Sequence, residues 1–421
     1  MDKLVIEGGV ALKGSVTVSG SKNALLPMLA ATLLTRERCV IHNAPNLRDS
    51  YSMLKILRYL GVNYDFKDGT VVLRPNGLER YEAPYKFVST MRASFCVLGP
   101  LLARYKRARV SLPGGCVIGV RPVDLHLKGL ARLGARIHIR EGYVCAETKC
   151  LRGDHIYLGG AYGSSVLATG NVMMAATLAR GTTVIENAAC EPEVVELARF
   201  LVKMGAKIKG EGSPYIEVKG VKELHGAEHA IIPDRIEAAT LIMAAGITRG
   251  EVLVKGVRPD HMTAVLEKLR DVGMSLKVGK DSVLVRKTRR RFRPLDIVTL
   301  PYPGFPTDCQ AQFMTLMSIT DGISVITEKI YPDRFMHVAE LNRMSAQIKR
   351  EGPYAVVHGV KCLTGAPVMA SDLRASAGLV LAALVARGRT DVSRIYHLDR
   401  GYERLDEKLG TLGARIRRVK E

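Results

Sequence analysis

At 421 residues, 47% of them apolar and 24% charged, the chain has the composition of a folded globular protein and the length of two or three domains. That composition excludes intrinsic disorder, and no apolar run approaches the roughly 20 residues of a membrane-spanning helix. The formal charge of +21 points to anionic partners, among which nucleotides, phosphorylated metabolites, nucleic acid and membrane surfaces all qualify on charge alone.

The chain opens on a strand-like segment, Met1 to Gly9, with no charged and then apolar leader, and its eight cysteines lack paired spacing. Both features lead to the expectation of a cytoplasmic protein with free thiols. The first helical segment, Asn23 to Leu34, is apolar on every side, which predicts burial. A second, Leu54 to Tyr64, is amphipathic and breaks at Gly61 before an alternating strand. The same pair then recurs. Apolar segments run Ala93–Arg104, Asn171–Gly181, Glu237–Gly250, Gln310–Gly322 and Ser376–Gly388. Amphipathic ones run Leu127–Ile137, Leu197–Ile208, Leu266–Leu276, Glu340–Ile348 and Leu405–Ile416. The turn residue is Gly134, Gly205, Gly273, Ser345 and Gly413 in turn, so Ser345 is the exception. Repeats of about 70 residues are too long for a solenoid and fit a small α/β unit. Six copies predict two bodies of three, each packing three buried helices inside its sheets, with the break near residue 229.

The starts of the buried helices carry polar residues: Ser21-Lys22-Asn23, Thr90-Met91-Arg92, Ser164-Ser165, Pro233-Asp234-Arg235, Pro306-Thr307-Asp308 and Ser371-Asp372-Leu373-Arg374. Capping accounts for the Ser, Thr, Asp and Pro residues. It does not account for Lys22, Arg92, Arg235 or Arg374, because a cation opposes the positive end of the helix dipole. An anion held by backbone N–H groups, the dipole and the cation together would.

Between the second apolar segment and its amphipathic partner lies Ser111 to Leu125, where Gly114, Gly115 and Gly119 surround Cys116 and Arg121 follows. A glycine-rich loop beside a guanidinium favours an exposed, ionisable thiol, although a lone loop cysteine is more often inert. The other seven cysteines read as core fillers in strands or helices. Cys145, Cys150 and His155 make a poor ligand set, so no metal is expected. The basic run Arg286 to Arg293 has one aromatic, Phe292, and no nucleic-acid-reading motif; it reads as a solvated loop between two strands.

Eight motifs, in order along nearly the whole chain, resemble those of the UDP-N-acetylglucosamine enolpyruvyl transferase family: SGSKNA (Ser19–Ala24), MRAS (Met91–Ser94), LPGGC-x-IG-x-RPVDL (Leu112–Leu125), IIPDRIEA (Ile231–Ala238), FPTD-x-QAQF (Phe305–Phe313), RFMHV-x-EL (Arg334–Leu341), DLRASA (Asp372–Ala377) and RIYH-x-DRGYER (Arg394–Arg404). The resemblance implies a fold of two inside-out α/β barrel-like domains, each of three repeated βαβαββ units with buried helices and outer sheets. Residues 20–229 would form the first domain, and residues 1–19 with 230–421 the second.

The resemblance further implies a cytoplasmic transferase that moves the enolpyruvyl group of phosphoenolpyruvate to the 3-hydroxyl of UDP-N-acetylglucosamine. That reaction is the first committed step of peptidoglycan precursor synthesis and the target of fosfomycin. It needs no metal or other cofactor, no nucleic acid and no membrane insertion. Carried over by motif, Lys22, Asn23, Arg121 and Arg400 would hold phosphoenolpyruvate. Arg92, Arg121, Pro122, Val123, Asp124, Leu125, Gly163, Ser164, Ser165, Val166, Asp308 and Ile330 would hold the UDP-sugar. Cys116 would be the general acid and Asp308 the base, with Lys22 and Arg400 acting on the charged intermediate. Asp234, Arg235, Arg334, Asp372, Leu373 and Arg374 would line the cleft. In one segment, Gly163 to Asn171, the chain departs from the family pattern, with Leu167 standing where the family has glycine. The alternatives are a shikimate-pathway transferase of the same fold, whose family lacks the GGC loop, and a non-catalytic paralogue that binds the UDP-sugar.

Overall fold

The computed structural model describes residues 2–77, 79–113, 123–288 and 290–420. Two compact units emerge, one of residues 2–19 with 233–420, the other spanning the described residues of 20–232. Each has its own apolar core. Among the described residues no helix is long and apolar enough to cross a membrane.

The third repeat shows how sequence makes the unit. Its edge strand His155–Tyr157 leads to the helix Val166–Ala176, which contains no charged residue and is buried from Ala168 onward. With no polar face, that helix is stable only when covered on all sides. The strand Thr182–Glu186 follows, then the helix Pro192–Lys203, which has proline in its first turn, Glu193 early and Lys203 late, matching the dipole. The hairpin Lys207–Lys209 with Tyr215–Lys219 completes a four-stranded sheet: the edge strand is parallel to Thr182–Glu186, and the remaining pairs are antiparallel. All six sheets share this order, a parallel edge strand followed by two antiparallel pairings. The expected βαβαββ architecture, with helices inside and sheets outside, is therefore present.

Gly205 takes φ 100 at its turn, where a side chain would be strained, and the glycines of the other copies behave alike. Ser345, the exception, also adopts positive φ, 69°, and its hydroxyl lies 2.6 Å from that of Thr364. In the second repeat the buried segment begins as a 3-10 turn, Arg92–Val97, before the α-helix Leu98–Tyr105. Pro100 explains this, since it has no N–H to give Cys96 and its ring crowds that carbonyl. At the crossing with the third repeat, Gly99 donates its N–H to Asn171 Oδ1 at 2.7 Å, and a Cβ at residue 99 would sit 2.3 Å from the Asn171 carbonyl oxygen.

The repeats are not contiguous at their ends. The edge strand of the first sheet is Glu228–Ala230, parallel to Cys39–His42. The fourth sheet takes Lys13–Thr17, parallel to Glu251–Lys255. In the sixth sheet Asp2–Glu7 lies between Arg389–Ser393 and Arg415–Lys420, antiparallel to both. Each unit's first sheet is thus completed by the strand that precedes the other unit's first buried helix in sequence.

Candidate active site

In the unit of residues 20–232, Ser21 caps the first buried helix and accepts from the Ala24 N–H, which leaves Lys22 and Asn23 in its first turn. Lys22 Nζ lies 3.3 Å from Asp49 Oδ2, and both side chains are buried. The sequence did not single out Asp49, because an acid in the first turn of an amphipathic helix, here Arg48–Leu60, is ordinary dipole matching. Asn23 lines a recess of 240 Å³ with Pro27, Cys96, Val166, Leu167 and Glu193. Leu167 and Val166 both pack against the core of this unit, which gives the departure at Leu167 an apolar role.

Ser165 caps the Val166–Ala176 helix through the Ala168 N–H. Gly163 closes a tight turn with Gly160 by reciprocal backbone hydrogen bonds of 3.1 Å, and Leu125 Cδ1 would stand 3.1 Å from a Cβ at Gly160. The structure therefore brings Leu125 and the turn before Ser164 together. Val123 is buried and precedes Asp124, which starts the helix Asp124–Arg132. His126 on that helix meets Asn171 Nδ2 through Nδ1 at 3.0 Å. Burial, aided by the Arg92 charge, pushes the His126 imidazole down to about 3, so it is neutral at physiological pH. Cys116, Arg121 and Pro122 lie outside the described residues.

Of the described cysteines, Cys39, Cys96 and Cys309 are buried, and burial pushes their thiols up to about 11, 12 and 12. None of the three is an acid or nucleophile near neutrality. Cys150, Cys190 and Cys362 lie in connections rather than in strands or helices, which corrects the expectation for these residues. Cys150 and Cys362 occupy matching half-buried places, each followed by a buried leucine and each with its Sγ against that leucine's carbonyl.

In the unit of residues 2–19 and 233–420, charge is concentrated at three helix starts. Asp234 and Asp372 cap the helices Arg235–Ile247 and Leu373–Val385, each accepting two backbone N–H groups. Asp308, in the 3-10 turn Thr307–Cys309, accepts from Arg334 Nη1 at 2.8 Å on one oxygen and from Arg374 Nε at 3.2 Å on the other. Arg334 is 4% exposed and Arg374 1%. Burial pushes both guanidiniums down, but Asp308, helped at Arg334 by Asp372, outweighs it and holds both well above the ordinary arginine range. The cations read from the sequence as unbalanced at Lys22 and Arg374 thus have carboxylate partners inside their own units.

Around this network, buried Glu328 accepts from Thr299 Oγ1, Thr307 Oγ1 and the N–H groups of Ile330 and Tyr331, which fixes Ile330 through its backbone. Gln312 Nε2 reaches the Asp308 carbonyl, Thr240 Oγ1 and Tyr402 Oη, each at 3.0 Å. Gln312 and Tyr402 lie inside two of the motifs but had no role assigned to them, and Glu328 lies in none, because nothing in their spacing marks a buried polar seam. Leu373 packs against Gly401, where an added Cβ would lie 2.5 Å from Leu373 Cδ1. Arg400 ends the adjoining 3-10 turn Leu398–Arg400. The Arg235 guanidinium lies 5.5 Å over the Tyr302 ring and lines a 360 Å³ recess with His261 and Thr263. The structure thus joins Asp308, Arg334, Asp372 and Arg374 in one network and Lys22 with Asp49 in another.

A family model for EPSP synthase (3-phosphoshikimate 1-carboxyvinyltransferase) matches residues 6–409. A UDP-N-acetylglucosamine 1-carboxyvinyltransferase of Methylacidiphilum infernorum is 55% identical, covering 100% of this chain and 99% of the relative. One from Nitratidesulfovibrio vulgaris is 56% identical, with 100% of both chains covered. Among solved structures, the enolpyruvyl transferase NikO from Streptomyces tendae matches with a TM-score of 0.90 at 26% identity, covering 100% of this chain and 99% of that one. With a family match over nearly its whole length and relatives above half identity from end to end, the chain belongs to the enolpyruvyl transferase family, among the UDP-N-acetylglucosamine 1-carboxyvinyltransferases.

Proposed function

We propose that this chain transfers the enolpyruvyl group of phosphoenolpyruvate to the 3-hydroxyl of UDP-N-acetylglucosamine and releases inorganic phosphate. The observation that carries the reading is identity of 55–56%, over the full length, to relatives named for that activity. The reaction belongs in the cytoplasm, at the first committed step of peptidoglycan precursor synthesis, and would make the enzyme a target of fosfomycin.

The chemistry divides into addition and elimination. The enol carbon is a poor base, so a positioned acid is required, and Cys116 delivers a proton to the methylene carbon. The sugar oxygen bonds to the adjacent carbon while Asp308 accepts the hydroxyl proton. With one oxygen on each of two buried guanidiniums, Asp308 is held in one orientation for that task. The product of addition is a tetrahedral ketal bearing phosphate and carboxylate. Lys22, Arg121 and Arg400 stabilise its charge, with Asn23 a further ligand for phosphoenolpyruvate. Loss of phosphate and of a proton from the new methyl group restores the double bond. Arg92, the Arg121–Leu125 segment, the Gly163–Val166 turn and Ile330 hold the UDP-sugar, while Asp234, Arg235, Arg334, Asp372, Leu373 and Arg374 shape the surrounding wall.

Phosphate release from phosphoenolpyruvate tests the reading. It should require UDP-N-acetylglucosamine and stay at background with shikimate 3-phosphate. Comparable turnover of shikimate 3-phosphate would overturn it.

A further inference from the structure

Arg418 has no part in the mechanism above, yet its guanidinium gathers three carboxylates. Its Nη2 and Nη1 reach the two oxygens of Asp399 at 2.7 and 3.0 Å, a two-pronged contact. Its Nε and Nη2 reach Asp406 at 3.1 and 3.3 Å, and Nη1 lies 3.7 Å from Asp2. These partners sit on three different elements: the turn Leu398–Arg400, the first turn of the helix Leu405–Thr411, and the strand Asp2–Glu7. Between turn and helix the backbone is irregular, and Arg404 is at φ 45. The turn also lacks a side-chain cap at His397. The Arg418 bridge from Asp399 to Asp406 ties the turn to the helix through side chains, beside the backbone hydrogen bonds from Asp399 to Ile395 and from Gly401 and Tyr402 to Leu398.

We propose that Arg418 is a positioning residue for Arg400, holding the turn that carries it and occupying the neighbouring Asp399 carboxylate. The inference rests on the reading of Arg400 as a ligand for the anionic groups of phosphoenolpyruvate. Asp399 adjoins Arg400 in sequence. Without Arg418 its charge would compete for the Arg400 guanidinium and repel the incoming phosphate and carboxylate. Both oxygens are instead turned to Arg418, in a planar fork that lysine cannot reproduce. The hydrogen bonds it donates to Asp399 and Asp406 hold Arg418 well above the ordinary arginine range, so the guanidinium stays charged.

Steady-state kinetics with each substrate varied, together with binding of UDP-N-acetylglucosamine alone, tests this. Arg418→Met should lower kcat/KM for phosphoenolpyruvate about tenfold or more, while Kd for UDP-N-acetylglucosamine changes less than about twofold. Adding Asp399→Asn should restore most of the loss, because the competing charge is gone. Arg418→Lys, which keeps the charge and guards against a misfolded methionine variant, should fall between. The inference is overturned if Arg418→Met, or Arg418→Lys where the former does not fold, leaves kcat/KM for phosphoenolpyruvate unchanged, or if both substrates weaken equally. Arg400→Ala separates the two levels. If it lowers kcat/KM for phosphoenolpyruvate but the Arg418 variants do not, this inference alone fails; if it leaves that constant unchanged, the reading of Arg400 fails as well.

Discussion

Lys22 and Arg374 each stand in the first turn of a buried helix, and the two units offset them differently. In the unit of residues 20–232 the ammonium of Lys22 faces Asp49 across 3.3 Å. In the other unit Arg374 shares Asp308 with Arg334, and Asp372 stands 3.9 Å from Arg334. A flexible ammonium is a point charge that can shift between a carboxylate and an incoming phosphate. Two planar guanidiniums clamped on one carboxylate are fixed in direction before any substrate arrives. One unit therefore offers a charge that can be redirected, and the other a frame that orients.

The frame is broken most severely at Asp308. Asp308→Ala strips a carboxylate from two buried guanidiniums and should cost about 3–5 kcal/mol of stability, since an uncompensated buried charge is left behind. Urea unfolding measures this, and a variant as stable as the parent would show that the arginines find other partners. Turnover should fall as well, from loss of both the base and its orientation.

The redirectable charge is tested with Lys22→Met, alone and with Asp49→Asn. The single change should destabilise by a smaller amount, about 1–3 kcal/mol, and lower turnover by about a hundred- to a thousandfold. The double change should regain the stability and none of the turnover. If activity returned along with stability, Lys22 would be a structural partner of Asp49, and the contrast between the units would disappear.

The smallest effect separates the units by pH. Each holds a buried histidine neutral: burial pushes His126 down to about 3 and His337 down to about 4. Unfolded histidine takes its proton near 6.5. Stability from these groups is therefore fully present above about pH 6.5 and is lost as pH falls, by about 1.4 kcal/mol per unit for each. The His337 contribution ends near pH 4 and that of His126 near pH 3. Urea midpoints between pH 7.5 and 5 should slope less in His126→Gln and in His337→Gln than in the parent, and an unchanged slope in either would refute its assignment.

Much of the fold was legible because the buried helices lack any polar face and the surface helices end at a left-handed glycine. Both are local signals, the first repeated six times and the second five, with Ser345 in the remaining copy. The resemblance placed residues 1–19 with the second domain, but the pairing of Glu228–Ala230 with Cys39–His42 was not legible. Glu228–Ala230 is three residues long, too short for alternation to show, and its partner Cys39–His42 is remote in sequence. Of the candidate site, the helix-start residues stood out because cations there contradict the dipole. Their internal partners did not: Asp49 is in a conventional place for an acid, and Glu328 ends a strand whose pattern gives no reason to bury a carboxylate.

The sixth sheet sets a timetable for synthesis. Asp2–Glu7 leaves the ribosome long before Arg415–Lys420, one of the strands it pairs with. Until then the opening strand has an unsatisfied edge, the kind of surface that recruits other chains. Residues 20–232, being consecutive, can close all three of their sheets before residues 233–420 are made. One unit is thus free to fold during translation, and the other must wait for Arg415–Lys420 to meet Asp2–Glu7.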